Sequence, residues 1–187
     1  MSEEESISEM KEKLEILEEA EAKELSWFKY LSLATVIIAV VAAVASLASG
    51  TYSNDAVLEK NNAVLFQNKA SDQWSYYQAK GVKKNIADSF AREFGSEKFK
   101  EEASRYEKEQ TEIKVKAEEF TKEVDMANGE SAHFLEKHHK MAFSVTFFQI
   151  SIALMALSSL MKRRSFFVIS LLFASAGAGY LIFGFII

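Results

Sequence analysis

The sequence predicts an all-α membrane protein with three transmembrane helices and a long extramembrane antiparallel helical hairpin of coiled-coil type. Three observations predict it. The stretches 30–48, 141–161 and 165–187 contain no Asp, Glu, Lys, Arg or His. They hold 19, 21 and 23 residues, and a hydrocarbon core about 30 Å thick takes roughly 20 helical residues to cross. Proline is absent from all 187 residues, so the strongest helix breaker is missing. Between the first two stretches runs a seven-residue repeat of Phe99, Tyr106, Ile113, Phe120 and Ala127, with Ala103, Gln110, Ala117 and Val124 four residues later. Sustained sevens favour a left-handed supercoil of helices.

Residues 1–27 read as an acidic amphipathic helix. They hold ten acids and three bases. Ser2 and Glu5 have capping-box spacing, and Ile7, Met10, Leu14 and Leu17 make a narrow seam at 3-4-3 spacing. Two readings stand for that seam: a solvated helix, or a short coiled coil between subunits. A Glu-rich face is repelled by anionic headgroups, which argues against a helix lying on the membrane. A signal peptide opens on a short basic segment, so the first apolar stretch is expected to be retained as a span.

The first span occupies 28–50, with Trp27 and Tyr30 as interfacial anchors. The pairs Ala39/Ala43, Ala42/Ser46 and Ala45/Ser49 lie four apart, a spacing that lets helix backbones approach closely. Residues 51–140 form the extramembrane segment, with seventeen acids and fifteen bases. Its break is at 94–97, where Gly95 suits a helix C-terminus and Ser96 an N-cap. The flanking arms, 51–94 and 97–140, each reach about 65 Å if unbroken. The outgoing arm offers Val57, Leu58, Val64, Leu65, Trp74, Val82, Ile86 and Phe90 to face the returning repeat, with Gly81 as a loosening point. Asn128-Gly129 is expected to end one helix and Ser131 to cap the next. The second span is 141–161, the basic turn 162–164 and the third span 165–187.

Short loops rich in Lys and Arg stay cytoplasmic. Lys162, Arg163 and Arg164 are therefore the topology determinants. They place the N-terminus in the cytoplasm, and residues 51–140 and the C-terminus on the far side, the periplasm of a bacterium. The net charge of -5 and the lack of a concentrated basic face argue against nucleic acid as a partner. With no cysteine in the chain, disulfides and thiolate chemistry are excluded.

Four clusters are candidate sites. Trp74, Tyr76, Tyr77 and Gln78, with Asp72 and Gln73, make an unusually aromatic helical stretch. They suit packing against the returning arm or another subunit, or a ligand or partner surface. His133, His138 and His139 are separated by five, six and one, which is poor spacing for a helical metal site. No metal or cofactor is expected, although a zinc site shared between subunits, with Glu136, is an alternative. Gln149 lies inside the second span near Ser144, Thr146 and Ser151. Polar groups there hydrogen-bond between helices, so it is read as fixing packing or as lining a water-filled path. Ala176-Gly177-Ala178-Gly179-Tyr180 is read as helix packing through Ser170, Ala174 and Ala178, or through Ser175 and Gly179, because selectivity loops are not helical.

Three stretches also carry a family resemblance. They are Ser71-Asp72-Gln73-Trp74-Ser75-Tyr76-Tyr77-Gln78-Ala79-Lys80-Gly81, Arg105-Tyr106-Glu107-Lys108-Glu109-Gln110, and Val145-Thr146-Phe147-Phe148-Gln149-Ile150-Ser151-Ile152-Ala153-Leu154. With the spans in this order, the chain resembles the bacterial membrane-protein family known as domain of unknown function 4337, from the first span to the end. The resemblance implies a bacterial inner-membrane location and no activity or catalytic residues. The Glu-rich first 27 residues depart from the His-rich arm of such relatives, so metal binding there is not carried over.

No phosphate-binding loop, nucleophile elbow or HExxH motif occurs, so no enzymatic activity is expected. The reading is a non-enzymatic homo-oligomeric scaffold whose partners are the lipid bilayer and further copies of itself. The alternative is a channel or transport component with an oligomeric pore.

Overall fold

The computed structural model describes residues 3–186, and side chains except those of residues 3–9 and Ala20. The Ser2/Glu5 capping box, the Ile7 member of the seam and the final residue therefore lie outside the described residues. Three helices follow one another: α1 (Glu3–Phe94), α2 (Glu97–Met161) and α3 (Arg164–Ile186). Among the described residues only 95–96 and 162–163 are not helical. All three helices are long and apolar enough to cross a membrane.

Both turns have a local cause. Gly95 adopts φ 62°, the left-handed conformation that glycine reaches without a Cβ penalty. The Lys100 amide then donates to the Ser96 carbonyl at 3.4 Å, opening α2. At the second turn Lys162 takes φ 50° and its amide donates to the Ser159 carbonyl. The helix end expected at Asn128-Gly129 is absent. α2 runs through it, because an isolated glycine costs a helix only about 1 kcal/mol and the neighbouring residues are anchored. Ser131 is not a cap; its hydroxyl donates to the Ala56 carbonyl at 2.8 Å.

The chain divides into two compact units, residues 1–50 with 137–187, and residues 51–136. In the first unit, α2 and α3 lock through serines. The hydroxyls of Ser144, Ser151 and Ser158 donate to the carbonyls of Gly177, Ser170 and Arg163 at 2.8, 2.8 and 2.9 Å. Seven residues forward on α2 is seven back through α3 to Arg163 in the turn before it, so the helices are antiparallel in one constant register. Met141, Phe148 and Met155 are buried on the same face of α2. Opposite them Ser170, Gly177 and Gly184 are buried on α3, again at sevens. A Cβ on Gly177 would lie 3.0 Å from the Phe148 ring and 3.2 Å from the Ser144 carbonyl oxygen. A Cβ on Gly184 would lie 3.0 Å from the Met141 methyl. Small residues on one helix thus receive large ones from the other, the close approach that drives helix association in lipid.

α1 joins this pair through Ala42 and Ala45, which form a buried cluster with Phe148. Thr35 donates to the Met155 sulfur at 3.3 Å, and Trp27 meets Phe167 edge-on at 4.9 Å. The small-residue rows of residues 39–49 divide. Ala42, Ala45 and Ser49 are buried, whereas Ala39, Ala43 and Ser46 are exposed. Met10, Leu14 and Leu17 of the N-terminal seam are exposed. The outer surface of the unit is apolar, with Val36, Val40, Leu47, Val168, Leu172 and Ile182 all exposed.

In the second unit, the returning repeat faces inward as its spacing predicts. Ala103, Ile113, Ala117, Val124 and Ala127 are buried, and Phe99, Tyr106, Gln110 and Phe120 are half-buried. The outgoing arm corrects the expectation. Its buried residues are Ala56, Ala63, Ala70, Ala87 and Ala91. Val57, Leu58, Val64, Leu65, Val82, Ile86 and Phe90 are exposed. The physical reason is register: Ala56, Ala63 and Ala70 lie at sevens and continue through Tyr77, Lys84 and Ala91. A second row at sevens, Phe66, Gln73, Lys80 and Ala87, is half-buried or buried beside it. The larger apolar residues stand one or two positions off the first row, about 100–200° around the helix.

Candidate functional site

The aromatic stretch of α1 meets the middle of α2 within the second unit. Gln73, Trp74, Tyr77 and Lys80 are half-buried, while Tyr76 and Gln78 are exposed. Trp74 packs edge-on against Tyr77 at 5.6 Å. The Gln110 side-chain amide donates to the Tyr77 carbonyl at 3.3 Å. Gly81 does not loosen the arm; it makes room. A Cβ there would lie 2.7 Å from Gln110 Nε2, so glycine lets the Gln110 amide reach the α1 backbone.

Lys80 is the hub of the cluster. Its side chain is only 13% exposed and pairs with Glu109. Its ammonium lies 5.2 Å from the Tyr76 ring centre and 5.3 Å from that of Tyr106. One turn on, Lys84 pairs with Glu107 at 2.6 Å. The hydrogen bond that Lys80 donates to Glu109 raises the lysine above its ordinary 10.5, and the one that Lys84 donates to Glu107 does the same there. The Lys80 bond in turn holds Glu109 below its ordinary 4.5. An open groove of about 390 Å³ beside the cluster is lined by Gln73, Tyr76, Lys80, Glu109, Ile113 and Lys116 among others. The charges of Lys80 and Glu109 are spent on one another, so that pair holds two helices in register.

A pH dependence follows. Glu109 ionises more readily folded than unfolded, so its contribution is complete above 4.5 and is lost as pH falls through the lowered value. Lys80 and Lys84 contribute fully below 10.5 and lose that contribution as pH rises through their raised values. Stability of the second unit is expected to be flat between these limits and to fall on both sides. Lys80→Gln should flatten the acid flank and reduce the alkaline one, where Lys84 still contributes, read by helix unfolding against pH in detergent.

The remaining candidates are placed as follows. Gln149 is exposed and does not fix packing between the helices of one chain. The buried serines at 144, 151 and 158 do that instead. A serine hydroxyl reaches a carbonyl on an adjacent helix without separating the backbones, whereas the longer carboxamide occupies the opposite face. Of the alternative packing rows on α3, Ser170 is buried, but Ser175 and Gly179 are exposed. His138 Nδ1 lies 2.9 Å from the Ser49 carbonyl oxygen, where a protonated nitrogen donates. Among the described residues no group of three His, Asp or Glu side chains is placed to hold a metal. In the basic turn Lys162 pairs with Glu24 at 2.6 Å, Arg164 lies 5.1 Å over the Trp27 ring and Arg163 is exposed.

Sequence reasoning missed the serine register and the alanine row of the outgoing arm. Both carry a signal, since Ser144, Ser151 and Ser158 and Ala56, Ala63 and Ala70 stand at sevens. Comparison with curated proteins and with solved structures returns no match. The family described as domain of unknown function DUF4337 matches residues 27–187, well over half of the chain, and the protein belongs to that family.

Proposed function

We propose that this protein is a non-enzymatic, homo-oligomeric scaffold of the bacterial inner membrane. The first unit crosses the bilayer three times, and the 51–140 segment is a periplasmic coiled-coil hairpin that assembles with further copies. The observation that carries the reading is the exposed apolar ridge of the outgoing arm. Val57, Leu58, Val64 and Leu65 are each exposed by half or more. Contiguous exposed apolar surface marks an interaction site, and heptad-patterned helices take other such helices as partners. The exposed apolar surface of the first unit supports lipid as its surroundings. The basic turn at 162–164 supports a cytoplasmic N-terminus.

Two measurements test this. The full-length protein in lipid discs is expected to contain more than one copy. Leu58→Glu with Leu65→Glu should lower that number without loss of helix content, and a strict monomer would overturn the reading. With no native cysteine, externally added maleimide should label Lys100→Cys and miss Arg163→Cys; the reverse pattern inverts the topology. A second reading, an oligomeric pore, is favoured by the exposed Gln149 within an apolar span. Absence of ion flux through reconstituted liposomes removes it.

A further inference from the structure

The apolar part of the first unit contains a single side-chain amide, Gln149. Every buried polar side chain around it is satisfied inside the chain, through the three serine-to-carbonyl bonds and Ser170 donating to Phe167. Exposed Thr146 also turns back to the Ala142 carbonyl. Gln149 has no hydrogen-bond partner among the described residues, and it is exposed. It stands eight residues from Met141 and twelve from Met161, about 12 and 18 Å from the ends of the span. Its side chain is too short to bring the amide to the headgroups, as lysine or arginine can do by snorkelling. In hydrocarbon a primary amide left without partners is strongly disfavoured.

We infer that Gln149 is the centre of a two-fold contact between span 141–161 of this chain and the same span of a second copy. The inference rests on the proposed membrane-spanning, self-associating state and deepens it by naming the surface. A carboxamide carries one acceptor oxygen and two N–H donors, so it is its own complement. Copies inserted in the same orientation are related by an axis along the membrane normal, which brings identical residues together at identical depth. Two Gln149 side chains then exchange N–H···O bonds reciprocally, as an isologous interface requires.

The surrounding face fits this occupant. Thr146, Gln149, Ala153, Ala156 and Leu160 recur at three and four residues, and all are exposed. They lie opposite the row of Ser144, Ser151 and Ser158 that packs within the chain. The other exposed face of α2 carries the larger Phe143, Ile150 and Leu157. Thr146, Ala153 and Ala156 beside the amide permit the close backbone approach that a short Gln–Gln bond needs.

The test uses single cysteines in the full-length, cysteine-free chain, oxidised in native membranes. Disulfide-linked dimer is expected from Gln149→Cys, Ala153→Cys and Ala156→Cys, and is expected to be lost from Ile150→Cys and Leu172→Cys. Gln149→Leu should reduce the dimer population in lipid discs, and Gln149→Asn should retain it. A protein that is oligomeric, yet cross-links only through positions on α1 or α3, overturns this contact and leaves the scaffold reading intact. Reaction of Gln149→Cys with a membrane-impermeant, water-soluble thiol reagent also overturns it, since that reports a water-filled path. A strict monomer overturns both.

Discussion

Gly177→Leu is expected to destabilise the first unit by about 3 kcal/mol, the upper end of the range for overpacking a tight contact. Even the first added carbon would sit 3.0 Å from the Phe148 ring and 3.2 Å from the Ser144 carbonyl oxygen. Phe148 is 2% exposed and has little room to swing away. The carbonyl belongs to the α2 backbone and moves only if the helix moves. Parting the helices would also stretch the Ser144 hydroxyl bond to the Gly177 carbonyl. Opposing this, leucine is the better helix former by up to about 1 kcal/mol, which is the smaller quantity. Gly179→Leu is the matched control, because nothing lies within 4 Å of a Cβ there. It should leave stability unchanged or slightly raised. The fraction folded during titration with a denaturing detergent, followed by circular dichroism, measures both.

Ala117→Leu is expected to cost the second unit about 2–3 kcal/mol, again by overpacking. Ala117 is 0% exposed, and the outgoing helix presents its own buried alanines, Ala63 and Ala70, on the facing row. Two alanine faces bring the helix axes close, leaving no space for an isobutyl group. The same substitution at Ala79, which is exposed, should change stability by less than about 0.5 kcal/mol. Thermal unfolding of the two variants side by side distinguishes a packed row from an exposed one. Equal effects would show that the alanines of α1 do not face α2.

The heptads of the returning helix were legible because they combine large and small apolar residues against a charged background. Phe99, Tyr106, Ile113, Phe120 and Ala127 stand out by period alone. The partner face on the outgoing helix was not legible in the same way. Hydrophobicity ranks Val57, Leu58, Val64 and Leu65 above alanine, yet distance between helices favours alanine at the contact. Pattern reading weighs residues by their transfer from water, and it overlooks how closely two backbones must approach. The same bias drew Gln149 into the packing account of the second span. A carboxamide is conspicuous among apolar residues, whereas three serines at sevens are not. Gly81 was misread for a related reason. Glycine signals backbone freedom in sequence, but here its missing Cβ leaves space for Gln110. The turn at Gly95 was legible because φ 62° there is a demand on one residue and needs no partner.

The serine ladder between α2 and α3 limits how those helices move. Each hydroxyl sits opposite one carbonyl, and Phe148 and Met141 each sit opposite one glycine, at intervals of seven. A slide of one or two residues would drive Phe148 and Met141 into side chains and unseat three bonds together. The next alignment that restores the fit is seven residues away, about 10.5 Å along the axis and roughly a third of the hydrocarbon thickness. Gradual shear between these two helices is thereby forbidden. They are expected to move as a single stiff rod pair, to which α1 is held through Ala42, Ala45 and Thr35.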